Sequence, residues 1–266
     1  MYAFEYRRPT SLAEAAAALA ADPDARLLSG GHTLLPAMKL RLAAPSILVD
    51  LNGIAGLDGI ERQDDALVVG GLARHHAVAT SEIVRTAIPA LAAMVGTIGD
   101  PAVRHRGTLG GSIANNDPSA DYAAAALALD ATIITDRRRV EADDFFTGLF
   151  STALEEGEIV TGVSFPIPRR MGYDKFRNPA SRYALCGVCV VETAGGAARV
   201  AVVGAGANGV FRVPEMERAL TKDFSAEAIR DVRVPEDDMA SDIHAGPEYR
   251  AHLVGVMARR AVAAAV

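Results

Sequence analysis

Nowhere does this chain reach the run of about 18 uninterrupted apolar residues that a membrane-spanning helix needs, although half of its 266 residues are hydrophobic and its mean hydropathy is slightly positive. The alanine-rich stretches are short and broken by charge. The amino terminus, MYAFEYRRPTS, lacks the apolar region of a secretory signal, which predicts a cytoplasmic protein. A basic stripe is missing too, and a net charge of −6 repels phosphates, which excludes nucleic acid as a partner. The positive cluster Arg137-Arg138-Arg139 reads as a solvated turn. Cysteine is scarce: Cys186 and Cys189 are the whole supply. They fall in an apolar, β-branched run where residues three apart face opposite ways, so they suit neither a shared metal nor a disulfide. An iron–sulfur cluster normally takes four cysteines, so such chemistry must come from another chain. The six histidines offer no metal-ligand set, and no nucleophile has an evident base, which leaves the catalytic and metal assignments at none. Arg74-His75-His76 reads as a helix start on the surface.

What is present alternates strand, loop and helix. Ser11 and Glu14 fit a capping box ahead of a helix that stops near Asp22-Pro23. A strand at 25–28, a helix at 34–42 that tolerates Pro36 in its first turn, and a strand at 46–51 complete a β-loop-α-β unit. Helices are expected near 76–84, 89–95 and 121–129. The stretch 96–118 reads as a long loop rich in Gly, Asn and Asp, of the kind that carries function. A strand at 159–165 ends in Pro166-Ile167-Pro168, the expected domain boundary. Beyond it, strands at 173–176, 183–192 and 199–203 predict an antiparallel meander, followed by helices near 215–220 and 248–264.

Three glycine-rich segments compete for a phosphate. Gly204-Ala205-Gly206-Ala207-Asn208-Gly209 matches GxGxxG, but Pro214 follows closely and no βαβ unit surrounds it, so it reads as a strand-ending turn. Ser29-Gly30-Gly31-His32-Thr33-Leu34 stands at a strand-to-helix junction, where glycines let amides turn towards an anion. Arg106-Gly107-Thr108-Leu109-Gly110-Gly111-Ser112 repeats the hydroxyl-plus-Gly-Gly pattern and runs on to Asp117 and Asp121. Asp117 either caps its own helix or accepts hydrogen bonds from ligand hydroxyls. Two such loops suit a diphosphate joined to a polyol, which describes FAD better than NAD without excluding other nucleotides.

The stretches LLSGGHTLLPAMKLRLAAPSILVDL, IGDPAVRHRGTLGGSIANNDPSADYAAAALALDA and GEIVTGVSFPIP resemble the flavin subunit family of molybdenum hydroxylases, which includes the carbon monoxide dehydrogenase medium subunit and the xanthine dehydrogenase flavin domain. The resemblance implies an α+β chain: a two-subdomain FAD-binding fold of the vanillyl-alcohol oxidase type over 1–170, divided near 54, and a small antiparallel sheet-and-helix domain over 171–266. It implies that Leu28, Ser29, Gly30, Gly31, His32, Thr33 and Leu34 wrap the FAD diphosphate and adenosine side. Thr108, Gly110, Gly111 and Ser112 form a second wall, with Asp121 on the ribityl or nearby hydroxyls. Ile98 and Val160 line the flavin, Arg177 (or Lys175) lies beside the isoalloxazine, and Tyr183 over its ring. Ser112 stands where relatives commonly have Asn, and Ser29 where they have Ala. The implied complex joins this chain to a molybdenum-cofactor large subunit and an iron–sulfur small subunit as a dimer of heterotrimers, with NAD, oxygen or a quinone as acceptor. The substrate of the complex belongs to the molybdenum subunit. A self-sufficient flavin oxidase, a redox-silent nucleotide-binding module and an NAD enzyme built on Gly204–Gly209 are the competing readings.

Overall fold

In a computed structural model that describes residues 1–266, the chain opens with a strand that sequence reading missed, β1 (Glu5–Arg7). Helix α1 (Leu12–Ala20) is capped by Ser11, whose Oγ accepts from the Glu14 amide at 3.2 Å. Glu14 reaches back one residue further than the standard capping box, accepting from the Thr10 amide at 2.8 Å. Strand β2 (Arg26–Leu28), helix α2 (Leu34–Lys39) and strand β3 (Ile47–Asp50) follow. The three strands form a parallel sheet in the order β1-β3-β2, with the β2–α2 junction at its carboxyl edge.

The next unit begins with strands β4 (Ile60–Gln63) and β5 (Ala66–Gly70). The helix expected at 76–84 is two, α3 (His75–Thr80) and α4 (Glu82–Ala87), because Ser81 leaves the helical region and caps the second. Helix α5 (Pro89–Gly96) agrees with expectation. The expected loop at 96–118 instead contains α6 (Pro101–Arg106) and α7 (Leu109–Asn115). The residues taken as loop formers are helix starters: Asp100 Oδ1 accepts from the Val103 amide at 2.9 Å with Pro101 at the first position, and Thr108 caps α7. Asn116, in the left-handed region at φ 42°, ends α7.

Helix α8 (Asp121–Ala128) is buried along its whole length, and its alanines let neighbouring elements approach closely. Strands β6 (Thr132–Thr135) and β7 (Arg139–Glu141), the short helix α9 (Ala142–Phe145), the ribbon β8 (Phe146–Gly148) and β9 (Ser151–Thr152), and strand β10 (Val160–Pro166) complete the unit. Its sheet runs β4-β5-β10-β6-β7, all antiparallel.

Only Ile167-Pro168-Arg169 separates β10 from β11 (Arg170–Arg177). Strands β12 (Ala184–Glu192), β13 (Ala198–Val203) and β14 (Phe211–Arg212) complete the expected meander, with helices α10 (Pro214–Lys222) and α11 (Pro247–Ala263) on one side. One face of this sheet, with Cys189, Val191, Ala201 and Val203, joins the same core as α8 and the five-stranded sheet. The other face, with Cys186, Val188 and Val190, packs against α10 and α11. The two cysteines therefore face opposite cores as free thiols, and burial pushes the Cys186 thiol up to about 12. Residues 204–209 end β13 as a turn region, and no helix of the chain is long and apolar enough to cross a membrane.

One buried acid links β6 to the turn before β10. Glu158 accepts from Arg138 Nε at 3.0 Å and from Thr135 Oγ1 at 2.7 Å. The Arg138 hydrogen bonds hold its carboxyl at about 2, below the ordinary 4.5. Because the folded carboxyl is the stronger acid, its contribution to stability is complete above 4.5 and is lost as pH falls towards 2. Glu158→Gln is expected to lower the urea midpoint at neutral pH. The gap to wild type should narrow steadily across that acid window, and a gap independent of pH would refute the linkage.

Candidate functional site

The carboxyl edge of the parallel sheet faces the amino-terminal ends of α7 and α8, and a cavity of about 1000 Å³ lies between them. That is the upper end of the usual range for small-molecule and cofactor sites, roughly 300–1,000 Å³. Its first wall is the β2–α2 junction from Leu28 to Leu34. Gly31 occupies the left-handed region at φ 76°. Gly30 meets the second loop so closely that a Cβ would stand 2.5 Å from the Arg106 carbonyl oxygen. The amides of Gly30, Gly31, His32, Thr33 and Leu34 donate to no group of the chain, a row of free N–H groups at the cavity wall. Thr33, at the N-cap of α2, makes no side-chain cap bond. Gly30 is buried, Gly31 and Leu34 are half-buried, and His32 and Thr33 are exposed, so the row is open to the cavity and has the geometry of an anion-binding nest.

The second wall is built differently. Thr108 Oγ1 accepts from the Gly111 amide at 3.2 Å, and the Gly110 amide donates to the Gly71 carbonyl at 2.8 Å. A Cβ on Gly110 would lie 2.8 Å from that same carbonyl oxygen. This loop thus satisfies itself, and its glycines serve close packing of α7 against the β5 end. The hydroxyls of Ser29 and Thr108, 3.1 Å apart, tie the walls together.

The residues singled out from the sequence gather here except Arg177 and its alternative Lys175. Leu28 to Leu34, Ile98, Thr108, Gly110, Gly111, Ser112, Asp117, Asp121, Val160 and Tyr183 all line the cavity. Arg177 does not: it is exposed at the end of β11, opposite Ala184 after a bulge. The connection that follows closes with the Asn178 amide donating to the Tyr183 carbonyl at 2.9 Å, and it carries Ser181, Arg182 and Tyr183 back over the cavity. Arg182, at φ 64°, lines the cavity where Arg177 does not.

Three polar groups of the lining have partners or burial that the sequence did not report. Asp121 borders the cavity, but its carboxylate is engaged: Lys175 Nζ donates to both oxygens at 2.8 and 2.9 Å, and the Tyr173 hydroxyl donates as well. An acid starting a buried helix needs a counter-ion, and Lys175 supplies it instead of reaching a ligand. Asp117 keeps one free oxygen; its Oδ1 takes the Ser119 amide at 2.9 Å, and burial raises its carboxyl. His75 is not a surface residue. It is 5% exposed, lines the cavity, packs against Tyr122 with ring centroids 5.4 Å apart, and leaves Nδ1 without a partner. Burial lowers its imidazole to about 4, helped by His32 and Arg74, so the ring is neutral at physiological pH. Also unforeseen are Asp22, Pro23, Arg26, Arg137 and the turn Glu156–Ile159, which complete the lining. Arg137 and Glu156–Ile159 are distant in sequence from either glycine loop, Asp22, Pro23 and Arg26 shortly precede the first, and nothing in their local pattern marks them.

The donor set fits a dinucleotide flavin: free amides for a diphosphate, an aliphatic and aromatic end at Ile98, Val160 and Tyr183, and a polar carboxylate between. Comparison with known proteins agrees. Residues 2–168 match the family described as the FAD binding domain in molybdopterin dehydrogenase. The chain is 35% identical to the carbon monoxide dehydrogenase medium chain of Hydrogenophaga pseudoflava, with 98% of this chain and 96% of that one covered. It is equally close, at 35% over the same shares, to the nicotine 6-hydroxylase medium subunit of Paenarthrobacter nicotinovorans. Among solved structures, quinoline 2-oxidoreductase from Pseudomonas putida 86 superposes with a TM-score of 0.88 at 32% identity, covering 98% of this chain and 96% of that one. On these grounds the chain belongs to the FAD-binding family of the molybdopterin dehydrogenases.

Proposed function

We propose that the chain is the electron-transferring medium subunit of a cytoplasmic molybdenum hydroxylase complex, taking electrons from an iron–sulfur subunit and passing them to an external acceptor, NAD, oxygen or a quinone. The observation that carries the reading is the row of free amides from Gly30 to Leu34 facing a cavity with an apolar, aromatic end. Bound FAD supplies the exchange between one-electron and two-electron transfer. The chain's own part is positioning. The amide row holds the diphosphate, and Thr108 with the packed glycines keeps the opposite wall fixed. Asp117 offers its free oxygen to ligand hydroxyls. Ile98 and Val160 exclude water from the ring, Tyr183 covers it, and Arg182 supplies positive charge where the ring gains electrons. Neutral His75 donates or accepts without adding charge. The division into 1–54, 55–170 and 171–266, and the dimer of heterotrimers, belong to the same proposal.

Purification from the native host under mild conditions tests it. The expected preparation has a two-banded flavin spectrum and two co-purifying chains, the larger with molybdenum and the smaller with iron. A yellow protein that arrives alone and is bleached by an organic substrate would replace the reading with a self-sufficient flavoenzyme. A colourless chain that takes up no FAD would refute both.

A further inference from the structure

Behind the two cavity walls, outside the lining itself, runs a chain of polar contacts that joins the two subdomains. Asn52 stands at its centre. Its Nδ2 donates to the Ser29 carbonyl at 2.9 Å, and its backbone amide donates to Asp50 Oδ1 at 3.0 Å. Asp50 in turn accepts from the Tyr6 hydroxyl at 2.5 Å. From the other side Arg74 donates through Nη2 to Asn52 Oδ1 and through Nη1 to the Arg106 carbonyl. Arg106 is the residue whose carbonyl abuts Gly30. One guanidinium therefore grips the first loop through Asn52 and the second loop directly. Arg74 is half-buried, and although Asp50 and Asp58 are near enough to act on its charge, it forms an ion pair with neither. The nearby Asp50 directs its oxygens to Tyr6 and Asn52. Half-buried guanidinium groups normally find an anion.

We propose that Asn52 and Arg74 are positioning residues: a clasp that sets the spacing of the two glycine loops and lends an unpaired positive charge to the FAD diphosphate. The inference rests on the FAD reading of the cavity. Neither residue touches the ligand; both act through Ser29 and Arg106.

The test is FAD titration of the full chain, followed by flavin fluorescence at several salt concentrations. Arg74→Met is expected to weaken FAD binding about tenfold or more, the range for losing charge-assisted hydrogen bonds. Its affinity should also depend less steeply on salt. Arg74→Lys, which keeps the charge but cannot span both acceptors, should lose less affinity and retain the wild-type salt slope. Asn52→Ala should weaken binding comparably, and the double variant Asn52→Ala/Arg74→Met no more than the worse single, since one clasp is broken either way. Asn52→Ala also decides the matter if Arg74→Met does not fold. Wild-type affinity in either truncated variant would overturn the clasp, as would a salt slope that Arg74→Met leaves unchanged. A wild-type chain that binds no FAD would overturn the flavin reading instead, before any variant is compared.

Discussion

Gly30→Ala should leave the chain folded and nearly unable to hold its flavin. The added methyl would stand 2.5 Å from the Arg106 carbonyl oxygen and 2.9 Å from Gly107 Cα, both backbone atoms with no rotamer to escape into. The loops must part to accept it, and parting them misplaces the amide row from Gly30 to Leu34. Overpacking of this kind costs about 1–3 kcal/mol, within what a domain of ordinary stability survives. On the proposal that this amide row holds the diphosphate, the ligand loses more: affinity should fall at least about 100-fold, or about 3 kcal/mol. Gly96→Ala is the control, since a Cβ there meets nothing within 4 Å. FAD titration of both variants, beside thermal melts without flavin, decides it. A Gly30→Ala chain that binds like the control would show the close approach to be incidental.

The second large effect lies in the core. Lys175 and Asp121 are 7% and 5% exposed and bonded at 2.8 and 2.9 Å, linking the first turn of α8 to β11. Lys175→Met removes one partner and leaves a buried carboxylate with the Tyr173 hydroxyl alone. Breaking a buried pair from one side costs about 3–5 kcal/mol. At about 2–4 °C per kcal/mol for a chain of this size, the melting temperature should drop by roughly 10 °C. Lys175→Met/Asp121→Asn, with no stranded charge, should recover a substantial part. If the double variant melts no higher than the single, packing of the lysine stem and not charge carries the effect.

The sequence was most informative where local chemistry decides structure. Ser11 capped its helix, Pro36 sat in a first turn, and the alternation through β12 showed that Cys186 and Cys189 part ways. The cavity lining was legible because glycine pairs mark close approach whatever surrounds them. Misreadings came where one residue type serves two ends. Asp100-Pro101 and Thr108 were read as loop formers, yet those residues are also helix starters, and that role prevailed. Arg177 was misplaced because a bulge and a tight connection lie between it and the cavity, and strand periodicity does not report either. His75 was taken as a surface residue because its burial comes from Tyr122 and Gly107, partners remote in sequence. Asp121 was expected at the ligand and does line the cavity, while no pattern in the sequence told that Lys175 would arrive from β11 to pair with it.

The unpaired amides from Gly30 to Leu34 bear on how long the chain survives in a cell. A ligand that takes these amides only in the folded form adds RT ln(1 + [L]/Kd) to the stability of that form. Flavin supply thereby becomes a census of usable subunits. Copies that have found their cofactor resist unfolding and proteolysis, while copies made in excess of it are the first to be cleared.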